Sequence, residues 1–275
     1  MKLINSYRIK QRNESKSILS KLDTANRKVL IIHYSCESFY DKAGYTPRVT
    51  CIGVLNRESN ESIVFSLHLQ AQKHKIDIHN MSKDDFDKVE KSMLDEFYDY
   101  SKHHSSYVWV HWNMRTASYG FQAISNRYEI LGGDKILIPD SNKIDLPEVF
   151  SKYYTYSYEA HKPNGQLLNL AERNKVSTRD ALVGIKEAES FEQKQYLNLQ
   201  MSTMRKVEII DRLLSKFESS SLTHNARLKE IYDLTIPGIY LMAKESPIFL
   251  LILSFFSFVA GAALEPIVQK IFGTG

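Results

Sequence analysis

Nineteen consecutive residues near the C-terminus, Ser246 to Leu264 (SPIFLLILSFFSFVAGAAL), carry no charged side chain. Eleven of them are Ile, Leu, Phe or Val. As a helix the run is about 28 Å long at about 1.5 Å per residue, close to the hydrocarbon thickness of a bilayer. On the insertion scale these eleven side chains favour lipid by about 3 to 6 kcal/mol. A helix apolar all round must be enclosed by protein or by lipid. Only eleven residues follow it, so the spacing predicts a single C-terminal transmembrane segment over residues 246–272, with a short tail, rather than a core helix.

The remainder is ordinary for a globular chain, with 43% hydrophobic and 25% charged residues in the whole. The first sixteen residues (MKLINSYRIKQRNESK) lack the apolar stretch of a signal peptide and the acid-poor character of a transit peptide. Arg227, Lys229 and Lys244 precede the apolar run and Lys270 follows it. That bias places the bulk of the chain in the cytosol and predicts a single-pass protein of the cytoplasmic membrane. Two cysteines, Cys36 and Cys51, offer no disulfide framework and suit a reducing compartment. The net charge of +4 is uneven. Residues 1–27 form a basic arm containing Lys2, Arg8, Lys10, Arg12, Lys16, Lys21 and Arg27 against Glu14 and Asp23. Such an arm suits phosphates or an anionic leaflet, and equally a plain solvated N-terminus.

Hydrophobic patterning sets out the rest. Val29–Tyr34, Arg48–Leu55, Ser62–Leu69, Tyr107–His111 and Lys135–Ile138 read as five strands. Ser82 opens a helix with a capping-box start, and Phe86, Val89, Met93, Leu94 and Phe97 recur at helical spacing. Tyr119–Leu131 reads as a helix stopped by Gly132-Gly133, and Leu146–Tyr154 as one begun at Asp145-Leu-Pro. From Thr178 to Phe217 the pattern is almost wholly helical. Leu197, Met201, Met204, Val207, Ile210, Leu214 and Phe217 form a stripe that needs a partner. Arg205 and Lys206, adjacent on that helix, are expected to face solvent.

This element order predicts an α/β fold, a mixed sheet flanked by helices. Over residues 28–195 it resembles the ribonuclease-H-like fold of DEDD-type 3′–5′ exonucleases. Those enzymes hold two divalent metals with an Asp-x-Glu on the first strand, an Asp after the fourth and an Asp in a late helix. Here the first motif reads Ser35-Cys36-Glu37. The second region reads His111-Trp112-Asn113, then Tyr119-Gly120-Phe121, with no Asp. Asp145 lies where the family has a hydrophobic-Asp-Thr step, and Gly184 stands at the late Asp position. A lone Glu37 does not clamp two metal ions, so the resemblance implies the fold without the chemistry and no cofactor. Residues 196–243 are then a helical extension.

Other constellations carry two readings each. His33 and Cys36 have opposite parity on a strand and so do not line one pocket; no further ligands stand at zinc spacing. His111, Trp112, Asn113, Arg115, Tyr119 and Arg127 form the densest polar and aromatic cluster. They suit a nucleic-acid or protein partner, or equally a hydrogen-bonded strand-to-helix corner. In the apolar run, Ser254, Ser257, Gly261 and Glu265 are spaced 3, 4 and 4 and share one helix face. That face suits self-association of membrane helices, or a plain exit at the interface.

Together these features lead to the expectation of a membrane-anchored, non-catalytic effector of a bacterial antiviral, abortive-infection system. Two alternatives remain. One is a membrane-tethered nuclease using Mg²⁺ or Mn²⁺, Glu37 and any of Asp41, Asp134, Asp140, Asp145 or Asp180. The other is a tail-anchored adaptor that docks a partner helix on the 197–217 stripe.

Overall fold

The computed structural model describes residues 6–20, 22, 28–37, 46–134, 136–245 and 247–273. Lys2, Lys21, Asp23 and Arg27 of the basic arm, Asp41 and Lys135 lie outside these residues.

The chain is α/β. β1 (Val29–Cys36), β2 (Val49–Asn56), β3 (Glu61–Ser66), β4 (Val108–His111) and β5 (Lys143–Asp145) form one sheet in the order β3-β2-β1-β4-β5. β1 pairs antiparallel with β2, and β2 with β3, while β1–β4 and β4–β5 are parallel. All eight residues of β1 are buried, as a central strand covered on both faces requires. Side-chain alternation along it feeds two cores. Val29 and Ile31 join the core under the late helices, whereas Leu30, Ile32 and Tyr34 join the core under the middle ones.

The middle helices are α2 (Leu67–His74), α3 (Lys83–His103) and α4 (Phe121–Ile130). The opposite face is covered by α5 (Leu146–Tyr153), α6 (Gln166–Arg173) and α8 (Tyr196–Glu218), with α7 (Gly184–Glu192) packed beside α8. The expected capping box at Ser82 is present. Ser82 Oγ accepts from Asp85 N at 3.1 Å, and Asp85 Oδ2 accepts from Ser82 N at 3.0 Å.

Three expectations are corrected. The strand expected to Leu69 stops at Ser66, whose hydroxyl accepts from Leu69 N at 3.3 Å and so caps α2. The fifth strand is Lys143–Asp145; Ile136–Ile138 is not strand, and the parallel ladder beside β4 is occupied by Lys143, Ile144 and Asp145. The continuous helix expected from Thr178 is two, because 178–183 is not helical and Lys194 takes φ +58 between α7 and α8.

The apolar stripe of α8 finds its partner within the chain. Val207, Ile210, Leu214 and Phe217 are buried in the core beneath β1 and β2, while Leu197 and Met201 are exposed. Gly53 on β2 permits this approach, since a Cβ there would lie 2.8 Å from Met204 Sδ and 3.2 Å from Val207 Cγ2.

The basic arm is docked where it is described. α1 (Tyr7–Ser20) packs on α5, with Ser15 Oγ donating to Val149 O at 2.9 Å. Arg12 is buried, 3.6 Å over the Tyr153 ring, and Arg12 and Lys16 both pair with Glu245. Glu245 ends α10 (Ile236–Glu245), which follows α9 (Leu228–Tyr232) and precedes α11 (Pro247–Phe272).

Every residue from Leu250 to Glu265 of α11 is exposed, including Phe255, Phe256 and Phe258. Among the described residues no single helix is long and apolar enough to cross a membrane. The segments Ile236–Glu245 and Leu250–Glu265, bent by 117°, meet the length and composition together.

Candidate functional site

β1 ends at a cleft of about 340 Å³. Ser35, Cys36 and Glu37 form one wall, Tyr119 a second, and the loop His161–Gly165 and the start of α7 the others. Open sheets place sites here because strand ends and helix starts leave a crevice.

The interior of this corner is tied internally. Ser35 Oγ lies 2.9 Å from both Thr50 Oγ1 and Thr203 Oγ1, joining β1, β2 and α8. Glu187 of α7 accepts from Ser202 Oγ at 2.7 Å. Lys206 Nζ of α8 lies 2.7 Å from Glu187 Oε1, both side chains largely buried. Lys206 therefore does not face solvent as expected. The buried positions Leu199, Thr203, Lys206, Ile210, Leu213 and Phe217 run three or four apart, so the helix period carries Lys206 inward.

Burial sets the local electrostatics, with the nearby charges adding to it. Burial, then Lys206, holds the His33 imidazole well below its ordinary range. Burial, then Glu187 and Glu37, pushes the Cys36 thiol well up, and burial pushes Cys51 up to about 12. Both thiols are protonated at neutral pH and are poor nucleophiles. Tyr34 and Tyr119 stack at 4.6 Å, and Tyr119 Oη donates to Tyr34 O at 3.0 Å. Gly120 N donates to Tyr34 Oη at 2.9 Å. Gly120 takes φ +146, and a Cβ there would lie 2.3 Å from Met114 O, so this turn requires glycine.

A second polar group forms at the ends of β4 and β5. Asp145 Oδ1 accepts from Asn113 N at 2.7 Å. Arg115 Nη1 lies 2.8 Å from Asp145 Oδ2, an ion pair whose geometry falls short of a hydrogen bond. Burial raises the Asp145 carboxyl to about 6, with the Asn113 N–H and Arg115 pulling it down. His111 Nδ1 accepts from Met114 N at 3.2 Å, and burial lowers the imidazole to about 3. The nearby Asp145 therefore faces a neutral ring.

Trp112 is buried against Phe150, ring centroids 6.2 Å apart. Arg127 is buried, with Nε 2.9 Å from Glu90 Oε1 and Nη2 2.8 Å from Glu90 Oε2. Arg115 is half-exposed. The stacking faces and forks of this cluster are thus mostly turned into the protein, which leaves Arg115 as its accessible cation.

Among the described residues, the carboxylates expected for a nuclease do not converge. Glu37 lines the cleft and Asp145 pairs with Arg115. Asp140 is exposed beside Lys143, Asp180 is exposed at φ +68 in a loop, and Asp134 is exposed. Among the described residues no three His, Cys, Asp or Glu side chains converge to hold a metal ion. Two divalent ions need several negative ligands. Here the cleft carboxylate Glu187 is neutralised by a resident ammonium, which would also repel an incoming cation.

On α11, Ser254, Ser257, Gly261 and Glu265 are all exposed, and Ser257 Oγ donates to Leu253 O at 2.8 Å. A Cβ on Gly261 would meet nothing within 4 Å. No protein-family model matches the chain, and no curated protein is significantly similar to it.

Proposed function

We propose that the chain is a membrane-anchored, non-catalytic effector of a bacterial antiviral system of the abortive-infection kind. A ribonuclease-H-like domain binds a protein or nucleic-acid partner in the cytosol, and the C-terminal helix acts on the cytoplasmic membrane. The observation that carries this reading is the exposed apolar surface of α11, with Ile248, Leu251, Phe255, Phe256 and Phe258 each more than 60% exposed. With Leu250, Ile252, Leu253, Val259 and Leu264, each at least 40% exposed, ten large apolar side chains of α11 face water, at a cost on the order of 10 kcal/mol. Lipid removes that cost.

The bend before α11 fits the same reading. α10 exposes Ile236, Ile239 and Tyr240, which suits a helix lying in the interface. α11 then turns away to cross the hydrocarbon. The described apolar part, Leu250–Glu265, rises only about 24 Å at 1.5 Å per residue. The crossing therefore relies on the continuation of α11 towards Phe272, or on local thinning. Self-association through Ser254, Ser257 and Gly261, with Glu265 at the edge, supplies the damaging assembly.

The mixed sheet, with its elements in the order the resemblance implies, supports a ribonuclease-H-like fold. The Lys206–Glu187 pair and the dispersed carboxylates support a non-catalytic one. Burial of Val207, Ile210, Leu214 and Phe217 weighs against the adaptor alternative, since a docking stripe must be accessible.

Expression with and without residues 246–275, followed by growth and dye entry, tests the reading. Toxicity and dye entry should require the segment; equal behaviour of the two forms refutes membrane output. Labelled single-stranded DNA and RNA in Mg²⁺ or Mn²⁺ should stay intact. Cleavage abolished by Glu37→Gln would put the tethered nuclease in its place.

A further inference from the structure

Apart from the cleft at β1, an open groove of about 740 Å³ runs along the outer face of α8. Lys175, Arg205, Arg212 and Lys216 line it, with Asn60 and Ser62 of the β2–β3 hairpin opposite. Two carboxylates also line it, and both are already paired. Glu208 Oε2 lies 2.5 Å from Arg205 Nη1, and Asp211 Oδ1 lies 2.8 Å from Arg57 Nε. Among the described residues no carboxylate pairs with Lys175, Arg212 or Lys216. Arg205 Nε is buried without a hydrogen-bond partner. Arg212 and Lys216 are one helical turn apart, about 6 Å.

We infer that this groove binds the phosphodiester backbone of a nucleic acid. Three unpaired cations over neutralised acids leave a net positive trough, which attracts a polyanion and releases its counterions. No aromatic ring lines the groove, so contacts fall on phosphate and sugar rather than on bases, and binding is independent of sequence. An anionic leaflet fits less well. A lipid-binding surface is flat or convex and inserts Trp, Phe or Leu, whereas this groove is concave and bordered by Ser and Asn side chains. The inference rests on the partner-binding half of the function proposed above and not on its membrane half, which growth and dye entry test separately.

The test is fluorescence anisotropy of a labelled 20-nucleotide single-stranded RNA, with a DNA of the same length, against the full chain in nonionic detergent. With three phosphate contacts the log–log dependence of affinity on salt should have a slope of about −2. Arg212→Ala/Lys216→Ala should reduce that slope to about −0.7 and weaken binding at least about tenfold at low salt. The variant's melting temperature should match the parent's, because neither side chain has a partner to lose. An unchanged affinity and slope, or no binding by the parent chain, overturns the inference. So does loss of binding to phosphatidylserine vesicles in the variant while oligonucleotide binding persists, which would assign the groove to lipid.

Discussion

Lys206 Nζ lies 2.7 Å from Glu187 Oε1, a buried ion pair joining α8 to α7 behind the cleft at the end of β1. Removing one partner leaves the other charge buried and alone. Lys206→Met should therefore destabilise the chain by about 3 kcal/mol, while Lys206→Met/Glu187→Gln should recover most of it. Chemical denaturation of the detergent-solubilised chain measures both. Mg²⁺, Mn²⁺ or EDTA should leave the parent's midpoint unchanged. A midpoint raised by millimolar metal would show a cation site that the ammonium does not exclude.

Glu90 is fully buried and holds two arginines. Arg127 reaches both its oxygens, Arg48 Nη1 lies 3.0 Å from Oε2, and Val49 N donates to Oε1 at 2.8 Å. Burial raises this carboxyl, and the hydrogen bond from Arg127 opposes the rise most strongly. Glu90→Ala leaves two buried guanidinium groups sharing the half-exposed Asp87, which lies 2.6 Å from Arg48 Nη1 and 3.1 Å from Arg127 Nη2, and should cost about 3 kcal/mol. Arg115→Ala, half-exposed, should cost under about 1 kcal/mol. Equal losses in the two variants would contradict a structural role for Arg127.

Acid should destabilise the fold before the surface carboxylates titrate. His33 and His111 have folded values below the ordinary 6.5, His111 at about 3. The unfolded chain then binds more protons than the folded one, so stability is full above about 6.5 and falls as pH drops below it. Each histidine contributes on the order of 1 kcal/mol per pH unit in that window. Asp145 acts in the opposite sense, because its folded value is raised to about 6. Its stabilising effect appears as pH falls below 6, and it offsets one histidine down to about 4. The net slope between pH 6.5 and 6 should flatten in His33→Gln/His111→Gln. A slope unchanged by the double substitution would contradict the assignment.

Much of this fold is legible in local sequence because the signals are local. The apolar run of β1, the Ser82 box and the Gly132 stop each act within a few residues. The corner at β4 is not legible in the same way: nothing near Arg127 announces Glu90, 37 positions earlier in the chain. Lys206 shows a different failure. Its neighbours suggest a solvated basic pair, but the spacing from Leu199 through Ile210 places it on the buried face. Lys135–Ile138 reads as strand by composition, yet the position beside β4 goes to Lys143–Asp145. Strand propensity does not decide which segment gains the ladder.

Alkaline carbonate extraction of membranes from cells expressing the full chain reports whether α11 is embedded in the bilayer. The protein should stay in the pellet and be released by detergent, while a chain lacking residues 246–275 should be found in the supernatant. A full chain that washes off with carbonate, or purifies without detergent with α11 packed on protein, would contradict it.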